Sequence, residues 1–192
     1  MRRFEVMGVQ EAPLLSAAEV HTLRAKLLRG RAHRNALVAK IAICGTGPKA
    51  GRWLLSSFPG LKVAGDPACL RSSFGTLGRL EISDVLKLDF ILAPAAEAAR
   101  PLWRPFLSAS LGALIFEESE QVLKLARYCA FELRLPIVLV AGLAAGGLNS
   151  AELIPEALRG APGGAAMVSS DVAGAVRALL QAVLQAPNQE IP

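Results

Sequence analysis

The chain has 192 residues, 53% of them hydrophobic and 19% charged, which is enough apolar content for a sizeable single core. That balance excludes intrinsic disorder, while 17 Gly without a period and only three Cys exclude a collagen-like or disulfide-stapled fold. The net charge of +5 resides in residues 1–40, where eight Lys/Arg face three Asp/Glu; the rest of the chain holds thirteen of each.

Residues 1–36 read as a basic N-terminal extension carrying one short helix, Ser16 to Leu28, with Val20, Leu23 and Leu27 on one stripe. Arg24, Lys26, Arg29, Arg31 and Arg34 lie nearby. Two readings stay open: a helix docked on the domain with a solvated basic side, or a contact with a partner or an anionic membrane surface. On the second, deleting residues 1–34 leaves a folded domain and abolishes salt-sensitive binding. The basic run is too short and too poor in aromatics to indicate nucleic acid.

From residue 37 to 186 short apolar, β-branched runs alternate with helix-period segments, the pattern of a three-layer α/β/α domain. Strands are expected at Leu37 to Cys44, Leu80 to Ile82, Leu88 to Leu92, Leu111 to Phe116, Ile137 to Val140 and Ala165 to Val168. The runs at 37, 111 and 137 are apolar on both faces, as central strands covered on two sides must be. Helices are expected at Ala50 to Ser57, Ala96 to Phe106, Ser119 to Leu133, Ser150 to Leu158 and Asp171 to Leu184, with Asn149 and Ser170 or Asp171 as caps for the last two. Residues 187–192 form a tail. The charge-free stretch Leu135 to Ala151 is interrupted by Pro136 and three Gly and falls short of a membrane span, and no apolar run follows Arg2 and Arg3 as a secretory signal requires. The expectation is a cytoplasmic protein, peripheral to a membrane at most through its basic segment.

Cys44, Cys69 and Cys129 form no CxxC pair, and His21 and His33 are the only histidines, so no zinc site is expected. The first expected strand runs into Cys44 to Trp53, CGTGPKAGRW, a glycine-rich turn at which backbone N–H groups and a helix N-terminus can cradle an anion. A phosphate loop of the GxxxxGK[ST] kind needs a Lys for the terminal phosphates and a hydroxyl for magnesium. Here five residues separate Gly45 from Gly51 and three separate Gly47 from it, where the motif needs four; Lys49 precedes that glycine, Arg52 takes the place of the Lys and Trp53 that of the hydroxyl. Arg52 remains a candidate to hold a phosphate or carboxylate, and Trp53 a plug for the cleft or a packing residue on the helix flank. Glu117, Glu118 and Glu120 open a helix beside the expected cleft, as dipole and capping residues or as a general base or metal cage.

Phe74 to Ile82, Leu88 to Pro94, Arg100-Pro101-Leu102-Trp103 and Leu111 to Phe116, in this order and spacing, resemble the Ras-like small GTPases of bacteria. The similarity is to the polarity GTPases of the MglA type and the ATP/GTP-binding proteins encoded beside roadblock-domain partners, and it spans about residues 38–185. It implies a P-loop NTPase fold with a mixed, mostly parallel six-stranded sheet. The family's functional residues are nearly all absent: Ala93-Pro94-Ala95-Ala96-Glu97 stands at the switch that carries Gly and Gln, and Val140 to Ala145 stands at the guanine-recognition position without Asn, Lys or Asp. Ser169-Ser170-Asp171 resembles the last base-contacting loop through its serines alone, and Thr76 the stretch just after the switch threonine. The resemblance thus implies a pseudo-GTPase with a degenerate Walker A motif, its vestigial nucleotide positions being Gly45, Gly47, Lys49, Gly51, Arg52 and Trp53. No cofactor, metal or hydrolysis is expected. Function lies in binding a protein, a roadblock/LC7-type dimer or another component of a bacterial signalling, motility or polarity complex, through Arg100, Trp103 and Arg104, the tryptophan with Phe106 serving either as anchor or as core. The alternative is a divergent GTPase that holds GTP or GDP with magnesium on a nonstandard phosphate loop.

Overall fold

The computed structural model describes residues 13–28, 35–45, 47–63, 75–116, 119–140, 155–161, 167–169 and 171–186. In chain order these form α1 (Ala17–Leu28), β1 (Leu37–Cys44), α2 (Gly47–Ser57), β2 (Lys62–Val63), β3 (Gly75–Ser83), β4 (Leu86–Leu92), α3 (Arg100–Leu107), β5 (Ser110–Ile115), α4 (Glu120–Arg127), β6 (Ile137–Val140), β7 (Met167–Ser169) and α5 (Val172–Gln185).

The strands form one mixed sheet in the order β2-β3-β4-β1-β5-β6-β7. The β1, β4, β5, β6 and β7 pairings are parallel, and the β2–β3 and β3–β4 pairings antiparallel. Among the described residues the sheet has seven strands where six were expected, because Lys62–Val63 adds an edge strand opposite Arg79 and Gly78. Two residues are too few to show a period.

Period-two alternation sends the strand side chains into two cores. Ala39, Ile41 and Ile43 of β1, Leu88 and Phe90 of β4 and Val138 of β6 join Leu54 of α2 and Val176, Leu179 and Leu180 of α5 on one face. Ala42 and Cys44 of β1, Ala113 and Ile115 of β5 and Leu139 of β6 join Trp103 and Leu107 of α3 and Val122 and Leu125 of α4 on the other. Helices therefore cover both faces of the sheet, as the all-apolar central runs require.

The caps follow from sequence. Ser16 and Glu19 form a reciprocal capping box at α1, each accepting the other's backbone N–H, at 2.7 Å into Glu19 Oε2 and 3.3 Å into Ser16 Oγ. Ser119 caps α4 by accepting from the Val122 amide, and Asp171, one of the two expected candidates, caps α5 by accepting from the Gly174 amide at 2.6 Å. The single helix expected over Ser119 to Leu133 is α4 followed by a π-helical turn, Tyr128–Glu132. Of the helix expected at Ser150 to Leu158, only the end is described, as a 3-10 turn at Glu156–Leu158; residues 150–154 and the tail lie outside the described residues.

The basic extension is not separate from the core. Leu15, Val20 and Leu23 are buried in the same cluster as α5, and the Lys26 ammonium donates to the Leu184 and Ala186 carbonyls at the C-terminus of α5, the latter at 2.8 Å. Gln181 of α5 donates to the Glu19 carboxylate. The docked-helix reading holds for residues 13–28, and Arg29, Arg31 and Arg34 lie outside the described residues.

Candidate functional site

In open α/β sheets the ligand crevice lies beyond the carboxyl ends of the strands, where connections leave in opposite directions. Here that point is β1 and β5: the chain goes from β1 toward β4 on one side and from β5 toward β6 on the other. The glycine-rich turn follows β1, Phe116 follows β5, and Ala93 and Pro94 follow β4.

Only residues 45 and 46 separate β1 from α2. Gly47 and Lys49, expected to precede a helix that starts at Ala50, belong to the helix together with Gly51, Arg52 and Trp53. A helix begun this early cannot wrap a polyphosphate as a six-residue loop does, and Pro48 removes one backbone donor from its first turn. Arg52, placed by sequence at the helix N-terminus, lies five residues beyond it, about 7.5 Å along the axis, and is exposed. The expected anion fork is thus away from the turn. The Lys49 side chain and Thr46 lie outside the described residues.

Trp53 takes the second of its two expected roles. Half-buried, it packs on the flank of α2, its ring edge-to-face with Phe116 at 6.0 Å between centroids. Phe116 is itself buried, and its amide donates to the Cys44 carbonyl at 3.1 Å while the Ala93 amide donates to Ile43 at 3.2 Å. Both neighbours therefore stay zipped to β1 through its last residue. Among the described residues no cluster of His, Cys, Asp or Glu has the makings of a metal site. Glu120 pairs with Lys124 at 3.0 Å, and Glu117, Glu118 and residues 141–145 lie outside the described residues. The Cys129 thiol, in the π-helical turn after α4, is pushed well above its ordinary pKa by its hydrogen bond with Cys44 and then by full burial, which keeps it protonated and inert.

The segment after β4 is held by its own helix. Trp103 is only 2% exposed and donates its indole N–H to the Pro94 carbonyl at 2.7 Å, with its ring against Tyr128. This corrects Trp103 as a surface anchor: spaced three residues from Phe106, it is core. Arg100 and Arg104 remain on the surface, Arg100 at 3.6 Å from Glu97 and Arg104 without an ion pair among the described residues.

One signal escaped the search for a phosphate loop. Gly45-Thr46-Gly47-Pro48-Lys49-Ala50 has the spacing G-x-G-x-x-A, in which the first glycine makes the strand-to-helix turn and the last small residue lets the helix lie close on the sheet. Ala50 and Gly51 are both buried residues of α2, as that packing needs.

The chain matches no protein-family model, and no curated protein matches it.

Proposed function

We propose that the chain is a pseudo-GTPase: a Ras-like α/β domain that binds a protein and neither holds nor hydrolyses GTP. The observation that carries the reading is the two-residue connection between β1 and α2, which leaves no loop for the β- and γ-phosphates where a P-loop protein has one. The missing Lys, hydroxyl, Gln and guanine-recognition residues support it. So does the segment after β4, which stands where a GTPase carries a switch and is pinned by Trp103 instead of by a nucleotide. The sheet, with an antiparallel hairpin on one side of β1 and parallel strands on the other, accords with the small-GTPase fold. The partner surface is the exposed side of α3, Arg100 and Arg104, and a roadblock-type dimer in a signalling or polarity complex is the partner the resemblance suggests.

The G-x-G-x-x-A turn favours a second reading, a divergent nucleotide binder that takes a pyrophosphate on the backbone at the start of α2. Denaturing the purified protein and chromatographing the supernatant separates the two. The scaffold reading expects no nucleotide, and stoichiometric GDP or GTP refutes it.

A further inference from the structure

Between α3 and the α4–π-turn segment lies a groove of about 420 Å³, lined by no residue of the glycine turn. Its construction follows from the π turn. One widened turn sends Cys129 and Ala130 into the core and leaves Tyr128, Phe131 and Glu132 lining the groove. The opposite wall is Glu97 and Arg100, and Lys124 and Arg127 rise from α4.

The groove pairs an aromatic floor with incompletely neutralised cations. Arg127 stacks over the Phe131 ring at 5.7 Å and has no carboxylate partner among the described residues. Arg100 and Glu97 are 3.6 Å apart with both side chains more than half exposed, a pair that water and salt exchange readily. Lys124 is held by Glu120, one turn back on its own helix. On α3, Arg104 lies one helical turn beyond Arg100 and is exposed, as is Leu102, 42% exposed although apolar. Four cations thus line or flank the groove against the three carboxylates Glu97, Glu120 and Glu132. They are spread over two helices of about 12 Å each, Arg100 and Arg104 on α3 and Lys124 and Arg127 on α4, which suits a chain segment better than a small anion.

We propose that this groove receives an acidic segment of a partner protein, with one aromatic side chain seated on Tyr128 and Phe131 and flanking carboxylates paired with Arg127, Arg100 and Arg104. The proposal rests on the reading of the chain as a protein-binding scaffold, and names the chemistry of what it binds. Charge complementarity sets the register, and the aromatic seat supplies the anchor.

The test is amide-shift mapping of the full chain titrated with the blocked pentapeptide Asp-Glu-Phe-Glu-Asp. Three controls accompany it: the same peptide with Ala for Phe, its Asn/Gln counterpart, and 3-phenylpropionate. Saturable shifts around residues 97–107 and 124–132 are expected, with affinity about tenfold or more weaker for each control and for the surface variants Arg127→Glu and Arg104→Glu. Equal binding of the neutral peptide, phenylpropionate binding as tightly as the pentapeptide, shifts elsewhere, or no shifts at all would overturn it. Magnesium-GTP added to the same sample keeps the two claims apart. Nucleotide-induced shifts at the glycine turn defeat the scaffold reading, whereas a silent groove with no nucleotide response defeats only the groove.

Discussion

At Gly112 the sheet and α5 meet with no room for a methyl group: a Cβ there would lie 2.7 Å from the Pro136 carbonyl oxygen and 2.8 Å from the Leu179 side chain. Backbone cannot step aside as a flexible side chain can, so Gly112→Ala is expected to destabilise the fold by about 1–3 kcal/mol, read as a lowered urea midpoint at unchanged slope. An unchanged midpoint would mean that β5 and α5 are not packed this closely. Two residues earlier the opposite holds. The Ser110 hydroxyl is fully buried and finds no hydrogen-bond partner among the described residues. Ser110→Ala removes that unsatisfied group at almost constant volume and is expected to stabilise by roughly 1 kcal/mol, since burying an uncompensated hydroxyl costs about 1–3 kcal/mol. A loss of stability would reveal a partner for it. Neither residue announces its role in sequence: Gly112 looks like any glycine in an apolar run, and Ser110 like a strand-end cap.

Among elements, α1 carries the clearest consequence. Its basic composition suggested an appendage, but Leu23 is fully buried, and Lys26 satisfies carbonyls that the C-terminus of α5 would otherwise leave open. Leu23→Ala is accordingly expected to cost about 2–5 kcal/mol in chemical denaturation, as for a buried core leucine, and deletion through residue 34 to destabilise the domain as a whole. A truncated chain with undiminished stability would restore the appendage. The ends of β1 and β6 were legible to the residue, because an apolar run bounded by turn residues states its own limits. β3 was legible only in its last third: Gly75 and Gly78 break the β-propensity of its first half, yet Gly78 belongs there because Leu61 and the Lys62 carbonyl lie only 3.1 Å from where its Cβ would be. The π turn left no signal, since a single extra residue in a turn does not alter the apolar period enough to be seen.

For the molecule as a whole, sequence placed the glycine-rich stretch after a central strand and misjudged how it is built. The glycine-rich stretch does follow the central strand, but its loop-or-helix character depends on where α2 starts, which short-range spacing does not fix. Starting the helix at Ala50 therefore put Arg52 at its N-terminus and so at the crevice, when it lies more than a turn into the helix and faces solvent. Among the described residues no helix is long and apolar enough to cross a membrane. The proposed scaffold role rests on the two-residue connection after β1 and on the Trp103 hydrogen bond that fastens the segment after β4. Even an intact Ras-like site turns over at only roughly 3–5 × 10⁻⁴ per second unaided, and losing one electrostatic donor lowers a rate by about 10²–10³. Binding is thus the more direct observable. Calorimetric titration of the full chain with GTP, GDP and ATP, each with and without magnesium, is expected to show no magnesium-dependent affinity tighter than about 100 µM, or roughly −5.5 kcal/mol. A micromolar isotherm that requires magnesium would contradict the account.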